Sequence, residues 1–241
     1  MLRLPELAQV HDIYLSLSRI AHERSADSLG GKLLLRCGLD ADGIAVVVAG
    51  SIAGAASLCV DADAERLRDG LRAGLVDFVV GYLDEALRIL KNEIRRALPI
   101  SVGLGIDPET CIAAMIERGL QPDLLSAVAR KQAHIFAERG AIALPEKASP
   151  DSETSLVQWT VAADPTHAMP RIARIASGVL DASCADTPAR QRWLNESPRY
   201  LGRAFGSRQC LRMRGAEIST FLSRMRSEAS SAGITRDGEP T

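Results

Sequence analysis

The chain has 241 residues, is 46% hydrophobic and carries a formal net charge of −1. That apolar content is enough for a sizeable core and excludes disorder throughout, while the near-neutral charge excludes a global field drawing the protein to nucleic acid or an anionic membrane. Aromatic residues make up only 4% of the chain, which suits helices packed on a buried parallel sheet better than an antiparallel sandwich.

Predicted elements follow in chain order. Leu7, Val10, Ile13, Tyr14, Leu17 and Ile20 fall near helical spacing, so Leu7 to Arg24 is expected to be an amphipathic lead-in helix. The N-terminus carries charges and a proline where a signal peptide needs an apolar segment, and a cytoplasmic location is the default expectation. An apolar strand from Lys32 to Cys37 runs into a loop holding Gly38 and Gly43; the helical run IAVVVAGSIAG follows, and ASLCVD reads as a second strand ending at Asp61. The nonpolar run from Ile44 to Val60 includes glycines and serines and is read as buried, with no membrane partner expected. Helix from Ala64 to Ala73, strand from Phe78 to Val80 and helix from Asp84 to Ala97 continue the alternation. ISVGLG, PETCIAAMIERG and PDLLS then read as strand, helix and strand, and a helix from Ala127 to Arg139 leads to the short strand AIALP.

Alternation of this kind predicts an α/β fold: a Rossmann-like, doubly wound parallel sheet with helices on both faces. The expected organisation is a Rossmann domain over 1–144, a polar linker over 145–155, a small, mainly helical C-terminal region over 156–229 and a disordered tail over 230–241. Within the C-terminal region LVQWTVA reads as a strand, and Pro170 to Leu180 and Gln209 to Ser227 as helices.

The first strand-to-helix loop is where a Rossmann protein binds pyrophosphate, because glycines let the backbone approach and the helix offers free N–H groups. Here it reads Gly38, Leu39, Asp40, Ala41, Asp42, Gly43. It is one glycine short of the usual three, and carboxylates stand where phosphate charge would arrive. The competing reading is an ordinary turn with Asp42 capping the helix. Asp61 lies about 20 residues beyond, the placement of an acid that hydrogen-bonds an NAD ribose, and it reads equally well as a helix cap. Arg66 could hold an anion or lie on a solvated face.

His134 and His167 are isolated, and no local nucleophile arrangement marks catalytic residues. Cys37, Cys59 and Cys111 sit in apolar patterns and are expected in the core, whereas Cys184 and Cys210 lie outside the sheet; the five form no CxxC or CxxH pair, so no metal site is expected. Arg190, Arg192, Arg199, Arg203, Arg208, Arg212, Arg214, Arg224 and Arg226 concentrate near the C-terminus. They could form an anion subsite or a solvated helical appendage pairing with acids on the sheet domain or another subunit.

The segments SLGGKLLLRCGL, CVDADAERL, LDEALRILKNEIRR, PISVGLGIDPE and IERGLQPDLLS follow one another as in the central NAD-binding domain of the urocanase (urocanate hydratase) family, which the chain resembles from Leu7 to Ser126 and on towards Leu144. The resemblance implies a tightly bound NAD acting as an electrophile on an imidazole substrate while water adds, a lyase reaction without net redox. It implies cofactor contacts at Asp61, in the place of the family's ribose-binding acid, at Arg66, and at Asp107, which takes the place of an asparagine near the cofactor; with Gly38, Asp40 and Gly43 of the first loop these are the candidate cofactor-binding residues. Two departures stand out. The family's GLGGMGGAQ loop is GLDADGIAV here, and its TDQTSAHDP segment is replaced by SAVARKQ. The domains that flank this core in the family, including the segment with the reactive cysteine, have no counterpart here. Full urocanate hydratase activity is therefore not expected.

Three functions stay open. One is a urocanase-like lyase or hydratase binding an NAD-type cofactor and a small, imidazole-like substrate. Another is a noncatalytic nucleotide- or metabolite-binding accessory protein. The third is a site rebuilt around Asp40, Asp42 and Asp107 for a cation or acid/base work. A small-molecule ligand is the expected partner, and a homodimer through the C-terminal helices is kept as an expectation because symmetric pairs are the commonest oligomers.

Overall fold

A computed structural model describes residues 2–145, 151–162, 164–228 and 232–236. The chain divides into two compact units, Met1–Ala148 and Ser149–Thr241.

The N-terminal unit alternates helix and strand: α1 (Leu7–Glu23), β1 (Leu33–Cys37), α2 (Ala41–Ala53), β2 (Ala56–Val60), α3 (Ala64–Arg72), β3 (Phe78–Val80), α4 (Leu83–Arg95), β4 (Ile100–Leu104), α5 (Pro108–Glu117), β5 (Leu124–Ser126), α6 (Arg130–Ala137) and β6 (Ile142–Ala143). The strands form one sheet in the order β3-β4-β2-β1-β5-β6, every pair parallel. Parallel sheets are covered on both faces, so both sets of alternating side chains must be apolar. Leu33, Leu35, Leu58, Val60, Val102 and Leu104 pack with Leu87, Leu90, Ile112, Met115 and Phe136 of α4, α5 and α6. On the other face Leu34 and Ser57 lie so close to α2 that a Cβ on Gly50 would stand 2.9 Å from Leu34.

Helix α2 is apolar around most of its circumference and every residue from Gly43 to Ala53 is buried. A helix of that kind needs cover on its outer side too. The buried stripe of α1, Leu7, Val10, Tyr14, Leu17 and Ala21, supplies it. The nonpolar run from Ile44 to Val60 is thus α2 followed by β2, and among the described residues no helix is long and apolar enough to cross a membrane. Gly43 belongs to the first turn of α2, not to the preceding loop, and α6 begins at Arg130 rather than Ala127.

The C-terminal unit holds β7 (Thr154–Val161), α7 (Pro165–Ser177), α8 (Thr187–Phe205), β8 (Arg208–Arg214), α9 (Gly215–Glu228) and β9 (Ala232–Arg236). It is mainly helical, with a three-stranded antiparallel sheet in the order β8-β7-β9. This corrects two expectations. Gln209 to Ser227 is not one helix: its first residues form β8, because Gln209 to Met213 are all buried and side-chain periodicity gives no sign of the strand. The tail expected to be disordered contains β9, whose backbone pairs with β7. Residues 146–150 of the expected linker, and 229–231 and 237–241, lie outside the described residues.

Candidate functional site

In open α/β sheets ligands sit outside the carboxyl ends of the strands, where the strand order reverses. Here the reversal falls between β1 and β5. Gly38 takes a left-handed φ of 83° and donates its N–H to the Val60 carbonyl at 2.8 Å, turning the chain out of β1. Asp40, not the expected Asp42, caps α2: its Oδ1 accepts from the Gly43 N–H at 2.8 Å and from Arg36 Nη2 at 2.7 Å. The same guanidinium donates from Nε to the Gly38 carbonyl at 3.0 Å and from Nη1 to Ser126 Oγ, at the end of β5, at 3.2 Å. Arg36 is therefore the hub of this edge. A lone cation inside the apolar strand LLLRC needs a buried partner, and that was the signal by which the sequence could have marked it.

Asp61 sits at the end of β2, only 5% exposed. Its Oδ2 accepts from the Leu39 N–H at 2.7 Å and Arg66 Nη1 at 2.8 Å, and its Oδ1 from the Asp63 N–H at 2.8 Å. The hydrogen bond from Arg66 to Asp61, then their mutual attraction, raises the arginine above its ordinary value. Asp63 caps α3. Asp107 caps α5 at the exposed surface, where the Thr110 amide and then its hydroxyl hold the carboxyl below its usual value. Gly38, Asp40, Gly43, Asp61 and Arg66 are linked by hydrogen bonds through Arg36 and Leu39; no hydrogen bond ties Asp107 to them among those described. Asp42 instead accepts from Gln9 Nε2 at 2.6 Å, so Asp40 and Asp42 face an arginine and a glutamine, and among the described residues no group of three His, Cys, Asp or Glu could hold a metal. The N-termini of α4 and α6 have no side-chain cap, and Arg130 and Lys131 are exposed in the first turn of α6.

The isolated histidines have local partners: His134 lies 3.2 Å from Glu138 and His167 2.8 Å from Asp164, all exposed. Burial pushes the Cys37 thiol up to about 11 against the opposing pull of Arg36, and pushes Cys111 up to about 12. Cys59, deeper still, is raised further. These thiols are poor nucleophiles at neutral pH. Native protein treated with a thiol reagent at pH 8 is expected to show one fast-reacting thiol, the half-exposed Cys184, removed by Cys184→Ser; a fast phase surviving that substitution would contradict the assignment.

In the C-terminal unit the arginine-rich stretch is not simply a solvated face. Arg190 is fully buried and pairs through Nη1 with Glu217 Oε2 at 2.6 Å and through Nη2 with Asp186 at 3.2 Å. Glu217 also accepts the Asp181 and Arg214 amides at 2.9 and 2.8 Å, and the Arg214 guanidinium reaches Asp186 at 3.2 Å. The acids that answer Arg190 and Arg214 thus lie in their own unit. The Arg203 side chain lies outside the described set. The family model for the urocanase Rossmann-like domain matches residues 9–158, more than half of the chain.

Proposed function

We propose, from the premise that this chain belongs to the urocanase family, that it is a noncatalytic accessory member which keeps the Rossmann-like frame as a metabolite-binding module and takes no dinucleotide. The fold is a nucleotide-binding one, and the reading turns on whether the residues at the sheet edge fit the cofactor. They do not. The observation that carries this is Asp61: an acid that is to hold ribose hydroxyls must be reachable from solvent, and Asp61 is buried, its carboxylate already accepting from Leu39, Asp63 and Arg66. Freeing it would break the turn after β1 and strand a buried carboxylate, at a cost of several kcal/mol by the ordinary penalty for unpaired buried charge, roughly 3–5 kcal/mol.

What remains for a ligand is the part of the edge beside the uncapped helices, with exposed Arg130 and Lys131. A small metabolite is the class of ligand that suits it, because the carboxylate at α2 opposes a diphosphate.

The test is denaturing mass spectrometry of small molecules released from the purified protein, with thermal shifts in NAD, NADH and urocanate and an absorbance assay for urocanate loss. The expected result is no released NAD, no stabilisation by NAD or NADH, and no urocanate consumption. Released NAD at a stoichiometric level would overturn the reading in favour of a lyase-like enzyme on an imidazole-type substrate.

A further inference from the structure

The three glycines of a dinucleotide loop have separate duties: the first turns the chain, the second leaves room for the anion, and the third lets the helix pack close. Two of the three survive here, each on structural ground. Gly38 holds a positive φ, and a Cβ on Gly43 would stand 2.2 Å from the Gly38 carbonyl oxygen. The position whose duty is owed to a ligand is Asp40. Around it the positive groups of an anion site are still assembled. Its carboxylate sits on the Gly43 N–H in the first turn of α2 and on Arg36, whose side chain is only 8% exposed and reaches Ser126 across the point where the strand order reverses.

We propose that the Asp40 carboxylate is a built-in replacement for a ligand anion: it neutralises the α2 N-terminus and the Arg36 guanidinium from within, so the turn after β1 is complete without any bound phosphate. This rests on the reading that the edge takes no dinucleotide. A helix N-terminus and a buried guanidinium both favour a negative charge and lose stability without one. Removing the carboxylate converts an internally satisfied turn into one that needs an anion from solution.

Asp40→Gly restores the glycine and leaves Arg36 and the Gly43 N–H open. Its melting temperature should fall below wild type in phosphate-free buffer and recover saturably with inorganic pyrophosphate, beyond the effect of sodium chloride at equal ionic strength. Wild type should show no such recovery. The pyrophosphate affinity of the variant should exceed that of wild type at least roughly tenfold, the factor for one charge-assisted hydrogen bond. Asp40→Asn keeps an oxygen on the Gly43 N–H while removing the charge; it should gain the same dependence more weakly, and it serves if the glycine variant does not fold. No gain in pyrophosphate affinity in either variant, or saturable stabilisation of wild type by pyrophosphate, overturns the proposal. NAD released from wild type would end this inference and the functional reading together, whereas NAD-free wild type with no gain in either variant would end this one alone.

Discussion

Glu217→Ala should cost the C-terminal unit about 3–5 kcal/mol, because it leaves the Arg190 guanidinium in the interior without its closest counter-ion. Asp186 remains at 3.2 Å, but it also serves Arg214 and is about one-third exposed, so it cannot replace a buried partner at 2.6 Å. The substitution also strips the Asp181 and Arg214 amides of their acceptor. Urea unfolding followed by tryptophan fluorescence measures this, since the only two tryptophans, Trp159 and Trp193, both lie in this unit. The double replacement Arg190→Met with Glu217→Leu removes both charges and should recover much of the loss, as buried pairs replaced by apolar residues often do. A single-variant loss below about 1 kcal/mol, the worth of a surface pair, would contradict the buried bridge.

The pH dependence has a definite sign. Burial acts to raise the Glu217 carboxyl, but the Arg190 hydrogen bond, the Asp181 and Arg214 amides and the attraction of Arg190 outweigh it and hold the group below the ordinary glutamate range. A depressed folded value means the stabilisation is fully present above that ordinary range and is lost as pH falls through the lower folded value. Wild type should therefore lose fluorescence-detected stability in that acid window, and Glu217→Ala, already without the contribution, should show a shallower dependence there.

Gly43→Ala is expected to be the most damaging small change in the N-terminal unit. An added Cβ would meet the Gly38 carbonyl oxygen at 2.2 Å and Arg36 Nε at 3.0 Å. The carbonyl is fixed by Arg36 and cannot swing aside as a flexible side chain would. Either α2 moves off the sheet, disturbing a helix buried from Gly43 to Ala53, or the turn after β1 breaks. Overpacking of this severity costs about 3 kcal/mol or more. Gly38→Ala makes a useful contrast: nothing lies within 4 Å of its Cβ, so only the positive φ is penalised, at about 1–2 kcal/mol. Thermal unfolding followed by far-ultraviolet circular dichroism compares the two, and equal losses would contradict the close approach.

The sheet was legible in the sequence because fully buried parallel strands read as short apolar runs between helices, and LLLRC, ASLCV and ISVGL are such runs. The C-terminal unit was less so. β8 has no alternation to distinguish it from a helix, and α8 carries Pro198 and a mixed polar face that masks its period. Around the candidate site, sequence spacing put Asp61 at the end of β2 and Gly38 in the turn after β1 but gave no direction to a carboxylate. Whether Asp61 faces solvent or the Leu39 N–H depends on the height of one turn above another, which only packing decides. In the sequence Arg36 stands out only as a lone cation in an apolar strand; its partners Asp40 and Ser126 lie 4 and 90 residues away, and only the second reveals the crossing from β1 to β5.

That last bond also has a bearing on time. β1 lies in the middle of the sheet, yet one of its two neighbours, β5, is 90 positions further along the chain at the Arg36 to Ser126 link. While the chain is being synthesised, β1 to β4 are complete before the far side of β1 meets any strand, and until then the guanidinium lacks its hydroxyl acceptor. Joining such distant segments carries a loop-closure cost that local helix formation does not. One of the two central strands of this sheet thus gains its second neighbour only after the first four strands have been made.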